Sequence, residues 1–211
     1  MHPTPTYPSA QFIVVEGLDG SGKSTLARDL ALALGATSMT TPPPSVRAVR
    51  ETVIAGLSGS PVAQQAFYLA TLAHASDTIA PMLRAGSSVV LDRYLLSTMV
   101  YAVQRGEHLR WRELEESLLP AHVTVFLDVP LAIRRARLEA RGMSLADIES
   151  LDPAFDAGVR RLYLDWSRHP VAGRFVHLQL QGTETPAAIA ERVLGLLRSC
   201  QDSPARRVTS A

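Results

Sequence analysis

Lysine is nearly missing from this chain of 211 residues: 20 of its 21 basic residues are arginine, and Lys23 stands alone. Cysteine is as scarce. Cys200 is the only one, which excludes an internal disulfide framework and suits a reducing compartment. Charge of either sign is not in excess, and a formal net charge of +1 leaves no footprint for a nucleic-acid surface. No apolar run nears the length that crosses a bilayer, and the opening MHPTPTYPSA lacks the apolar core of a signal peptide. These absences describe a soluble cytoplasmic protein with neither nucleic acid nor membrane as partner. What is present is material for a core. Hydrophobic residues make up 46% against 19% charged, enough for one folded domain.

Residues 1–10 carry three prolines and read as a flexible arm, 11–199 as the folded domain, and 200–211 as a frayed tail. Strand candidates are QFIVV (11–15), 36–41, SSVVLDRY (87–94), HVTVFLDV (122–129) and RFVHLQL (174–180). Helical patterns lie between them. One runs from Gly22 to Leu34 and stops at Gly35; a second starts at Ser45 as N-cap and reaches Leu57. Pro61 opens a long third helix that ends before Gly86, with Pro81 able to bend it. Further helices cover 94–104, 110–119, the stretch from Pro130 to Arg141, 153–166 behind Asp152-Pro153, and 185–198. RGMSLADIESLD (141–152) is polar and irregular, a candidate mobile loop. Strands alternating with helices predict an α/β fold, a five-stranded parallel sheet between helices in three layers, α/β/α; the glycine-rich GLDGSGKS at 17–24 makes the expectation a P-loop NTPase, and the arginine-flanked loop gives it a lid segment at about 134–152.

The lone lysine falls in Gly17-Leu18-Asp19-Gly20-Ser21-Gly22-Lys23-Ser24-Thr25, which fits G-x-x-x-x-G-K-[ST] after a strand and before a helix. Glycines let backbone N–H groups converge on a phosphate, and the helix N-terminus adds partial positive charge. A compact ammonium fits between phosphates where a planar guanidinium is too wide. Lys23 is expected on the β- and γ-phosphates of ATP, and the Ser24 hydroxyl on Mg²⁺.

Not every P-loop protein fits. A GTPase needs Asn/Thr-Lys-x-Asp, which a single lysine at 23 excludes. Motor ATPases place Asp-Glu after an apolar strand, whereas here LDR (91–93) and LDV (127–129) lack the Glu. A phosphotransferase needs positive charge at the acceptor and more over the moving phosphoryl. Asp92 and Arg93 end a strand at the edge where such sheets bind ligands. Asp92 is positioned to hold Mg²⁺ through water or to orient an acceptor hydroxyl, and Arg93 to clamp an acceptor phosphate. Asp128, at another strand end, is a second Mg²⁺ candidate or an anchor for the next helix. Arg134, Arg135, Arg137 and Arg141 flank the irregular loop and supply the second cationic set, Arg137 and Arg141 being the catalytic candidates.

Over residues 11–198 the ordered series resembles the thymidylate kinases. EGLDGSGKST is similar to their P-loop, FYLATLAHASDTIAPMLRAGSSVVLDRYLLSTMVY (67–101) to their central block, and VFLDVPLAIRRARLEARG with FDAGVRRLYLDW to the segments around their lid. The resemblance implies that Asp19 touches the acceptor sugar, Arg93 its phosphate together with Arg47 or Arg50, that Phe67 stacks on the base, and that Tyr101 disfavours a ribose hydroxyl. It also implies a homodimer. Four departures stand out. The family's base-reading Arg, four residues after Phe67, is Thr71 here, and its Glu-Pro-Gly is Thr41-Pro42-Pro43-Pro44. Its lid Asp-Arg is Ala146-Asp147, and Gly20 stands where some members carry an Arg. The expectation is a pyrimidine (deoxy)nucleoside-monophosphate kinase with altered base specificity. The alternatives are a nucleoside kinase acting on a sugar hydroxyl and a non-catalytic ATP-binding regulator.

Overall fold

The computed structural model describes residues 10–107 and 112–201. The arm at 1–9, Trp111 and the tail at 202–211 lie outside the described residues. Strand β1 (Phe12–Gly17) pairs with β3 (Val89–Asp92) on one side and β4 (Val123–Asp128) on the other. β2 (Thr37–Thr40) adds to β3, and β5 (Arg174–Gln179) to β4. All five are parallel, in the order β2-β3-β1-β4-β5. The three central strands are buried along their whole length, which is why their sequences are continuous apolar runs rather than alternating ones. Register decides where the strand ends meet. Val15 lies opposite Asp92 and Gly17 opposite Leu127, so the carboxyl ends of β1, β3 and β4 come together at one edge.

Helices cover both faces. On one, α1 (Lys23–Leu34) and α10 (Pro186–Gln201) close a core of Ile13, Val15, Leu26, Leu30, Val125 and Val193. On the other, α4 (Pro61–Arg84) and α5 (Leu95–Gln104) bury Leu69, Leu72, Ile79, Leu95 and Met99 against Phe12, Val14 and Leu91. A third cluster sets Phe126 against Tyr163 and Val159 of α9 (Pro153–Asp165). Gly35 and Asp152 act as read: Gly35 takes φ 59° and its N–H returns to α1, and Asp152 accepts from the Phe155 N–H; ahead of Pro61, Ser60 accepts from the Ala63 N–H.

Three expectations differ. The single helix over 45–57 is two, α2 (Pro44–Arg47) and α3 (Arg50–Gly56), because the Val49 N–H bonds tightly back to Val46 and closes a turn between them. Ser45 lies inside α2, and Pro43 is the cap. The stretch 110–119 is helical only as α6 (Arg112–Ser117) among the described residues. Residues 142–152 are not irregular: after α7 (Leu131–Arg141) comes α8 (Leu145–Ser150), started by a capping box in which Ser144 accepts from the Asp147 N–H and Asp147 accepts from the Ser144 N–H. Pro81 sits within α4 without dividing it.

Candidate active site

The turn from β1 into α1 forms the floor of a cleft. Gly22 takes φ 93° at the start of α1, and Gly20 φ 80° beneath α7. A Cβ on Gly20 would lie 2.9 Å from the Arg134 carbonyl, so the helix backbone packs where a side chain would be. That contact explains why no arginine occupies position 20. Leu18 turns its side chain into the core, and its carbonyl accepts from the Ser21 N–H at 3.2 Å. Lys23 is buried, and its Nζ donates to that same carbonyl at 3.2 Å and to Asp19 Oδ1 at 3.4 Å. Burial, reinforced by Arg93, pushes the Lys23 ammonium down to about 8.

Asp19 joins two cations. Arg93 donates to the same oxygen that Lys23 approaches. Burial opposes the Asp19 charge, yet Arg93 and then Lys23 hold its carboxyl well below the usual carboxylate range. Arg93 itself has φ 69°, a left-handed conformation unusual outside glycine. Its N–H is fixed to Val15 and its carbonyl accepts from Thr41 Oγ1 at 2.7 Å, so the turn is held from both sides. Its guanidinium lies over the Tyr101 ring at 5.9 Å.

Glu16, which the pattern of motifs passes over, supports the site from beneath α5. It is fully buried, and its carboxylate accepts from the Tyr94 N–H at 2.9 Å and the Ser97 N–H at 3.2 Å, capping the first turn of α5 from the end of β1. Tyr163 of α9 donates to it at 3.3 Å. Burial raises its carboxyl above the ordinary value against the pull of Ser97. A lone charge at the end of FIVV was the signal.

Ser24 donates to Asp92 Oδ2 at 2.5 Å, and the buried Asp92 Oδ1 has no hydrogen-bond partner among the described residues. A hydroxyl and an incompletely paired carboxylate side by side are the hard oxygen donors that Mg²⁺ takes, so these residues fit that ion. Asp128, by contrast, is taken up by Arg160 and by His177 at 2.9 Å, the anchoring role rather than a metal corner.

The cleft above holds about 380 Å³. Lys23, Arg47, Arg50, Arg93, Arg105 and Arg141 line it, with Asp19, Asp92, Glu107 and Asp147 as counter-charges. Tyr101 and Thr71 are on its wall; Phe67 is not, and stands half-buried and edge-on to Tyr68 at 5.4 Å. Tyr68 takes that wall position and accepts from Arg50 at 3.0 Å. Position 68 rather than 67 faces the cleft, because α4 turns it inward with 64, 65, 71 and 72. Arg47 reaches Thr40 at 2.5 Å.

The arginines of α7 divide. Arg134 is fully buried and donates to the Asp19 carbonyl at 2.9 Å and to Asp156. Arg135 donates to the Leu151 carbonyl at 3.1 Å. Arg137 lies on the phosphate loop at 3.3 Å from the Ser21 carbonyl, and Arg141 faces the cleft, held by Asp147 at 2.8 Å. Arg105, the C-cap of α5, grips Glu149 of α8 through both carboxylate oxygens at 2.6 and 2.9 Å, a bridge that the sequence did not announce.

An enzyme arranged this way moves a phosphoryl group between two anionic partners that meet in one cleft, which makes it a P-loop phosphotransferase of the nucleoside-monophosphate kinase class. The chain belongs to the thymidylate kinase family. The family profile described as Thymidylate kinase matches residues 15–178. A probable thymidylate kinase of Pyrobaculum calidifontis is 32% identical over 199 residues, covering 89% of this chain and 99% of that protein. The thymidylate kinase of Nitratidesulfovibrio vulgaris is 33% identical over 217 residues, with 92% and 99% covered. Among solved structures, the thymidylate kinase of Candida albicans superposes with a TM-score of 0.68 at 20% identity, covering 92% of this chain and 93% of its own, and so shares the fold.

Proposed function

We propose that this kinase transfers the γ-phosphoryl group of ATP to the phosphate of a pyrimidine nucleoside or deoxynucleoside monophosphate, and that thymine is not the base it is tuned to. The observation that carries the transfer is Asp19 flanked by Lys23 and Arg93: one cation for the donor phosphates, one for the acceptor. Ser24 and, through water, Asp92 would hold Mg²⁺, which when bound neutralises charge across the β- and γ-phosphates. Lys23 and the loop N–H groups bind the donor chain. Arg93, with Arg47 and Arg50 across the cleft, positions the acceptor phosphate in line. The segment at about 134–152 is the lid; its closure excludes water and lets Arg137 and Arg141 stabilise charge on the moving group. No covalent enzyme intermediate is needed.

The base reading rests on position 71. Thr71 brings no cation, and its hydroxyl already donates to the Tyr68 carbonyl at 2.7 Å. A missing base donor weakens discrimination by about 1–3 kcal/mol. Steady-state kinetics across dTMP, dUMP, dCMP, CMP and UMP test it, with the parent nucleosides alongside to separate a nucleoside kinase. The expected outcome is a non-thymine monophosphate used as well as dTMP or better. A preference for dTMP by orders of magnitude over all others would remove the altered specificity. The same reading places the enzyme in the cytoplasm as a homodimer, which light scattering checks.

A further inference from the structure

One polar side chain on the cleft wall is buried without a use of its own. Gln65 of α4 is 3% exposed and lines the cleft. Its Nε2 reaches only the Met99 sulfur, at 3.6 Å, and its Oε1 makes no hydrogen bond among the described residues. A thioether is a weak acceptor, so both ends of the carboxamide are poorly satisfied, and a leucine there would serve the packing at less cost. Its neighbours differ. Gln64 donates to the Ile54 carbonyl at 3.2 Å, Tyr68 accepts from Arg50, and Thr71 is tied to its own helix. Of these wall groups, Gln65 is the one whose donor and acceptor both await a partner.

We propose that Gln65 is a specificity-determining residue that reads the base of the acceptor nucleotide, a step that rests on the chain being a pyrimidine monophosphate kinase. A carboxamide offers a donor and an acceptor side by side, and a half-turn exchanges them. In one orientation it matches a 4-oxo pyrimidine, donating to O4 and accepting from N3–H. In the other it matches a 4-amino pyrimidine, accepting from N4–H and donating to N3. An arginine, with donors only, welcomes the first and rejects the second. Gln65 beside Thr71 therefore makes a wall that admits both, and a small rotation of the side chain brings its amide onto the base edge.

The test compares kcat/KM for dTMP and dCMP in the wild type, Gln65→Glu and Gln65→Leu. In the wild type the two values are expected to lie within about tenfold of each other. Gln65→Glu keeps the shape but loses the donor, which leaves one match and one clash with either base, so kcat/KM should fall at least about tenfold for both dCMP and dTMP, through KM. Gln65→Leu should lower kcat/KM for both, through KM. Values of kcat/KM for dCMP and dTMP unchanged within about twofold in variants that still bind ATP would overturn the proposal, since a packing role moves stability but not KM for the acceptor. If neither variant folds, the wild-type Gln65 side-chain NH₂ resonances answer instead: they should shift on adding dCMP and dTMP in different directions, and constancy under saturation by either overturns it. A wild type that turns over no pyrimidine monophosphate sinks the underlying reading itself, and is told apart by its failure before any variant is made.

Discussion

At the scale of the residue, chemistry concentrates on one ammonium. Lys23 is buried beside an arginine and an aspartate, and its pKa of about 8 leaves it charged at neutral pH but deprotonating just above. Binding a polyphosphate favours the charged form, so nucleotide binding at pH 8–9 should take up protons. Calorimetry of ATP binding in buffers of different ionisation enthalpy measures this directly; a linkage of zero at pH 8 contradicts it. Affinity should fall as pH rises past 8, the direction of a lost ammonium. Lys23→Arg should keep the charge and lose the geometry, lowering kcat on the order of 10²–10³-fold with circular dichroism unchanged. An active Lys23→Arg enzyme would show that charge alone suffices.

Between α7 and its surroundings the relevant scale is the element. Of the arginine links that join the proposed lid to the body, those of Arg134 and Arg105 should behave oppositely. Arg134 is sealed between the phosphate loop and Asp156. Arg134→Met leaves the Asp19 carbonyl without its donor and strips Asp156 of one of its two arginines, at a cost of about 3 kcal/mol, or roughly 6–12 °C in Tm for a chain this long. Arg105 and Glu149 are each more than a third exposed. Arg105→Ala should cost under about 1 kcal/mol, so Tm barely moves, while amide exchange in 145–150 accelerates as α8 loses its tether. Equal Tm losses in the two variants would mean that exposure does not rank these links. The capping box at Ser144 and Asp147 was legible as S-x-x-D, yet the polar composition around it pointed to a loop; side chains that cap a helix are also those that favour turns.

For the whole molecule, donor loop, acceptor wall and lid are parts of one sheet edge, so ligands should stabilise it globally. ATP with Mg²⁺ at 100 times its Kd should add about 2.7 kcal/mol, a Tm rise of roughly 5–11 °C. Thermal denaturation with and without nucleotide reads it, and Lys23→Ala should abolish the rise. A full shift in that variant would place the nucleotide elsewhere than the loop.

Much was legible because it is local. The strands announce themselves as continuous apolar runs, since each central strand is covered on both faces, and the phosphate loop is contiguous, so its glycines, lysine and serine carry their geometry in their spacing. The cleft wall could not be read in that way. Whether 67 or 68 faces the cleft depends on how α4 is rotated against the sheet, a matter of packing by Leu69, Leu72 and Ile79 and not of the residues in question. Glu16 under α5, Arg134 under the loop and the Gln65 amide against Met99 are likewise meetings of distant segments: their partners lie on other elements, and only burial turns an ordinary polar side chain into one that must find a partner.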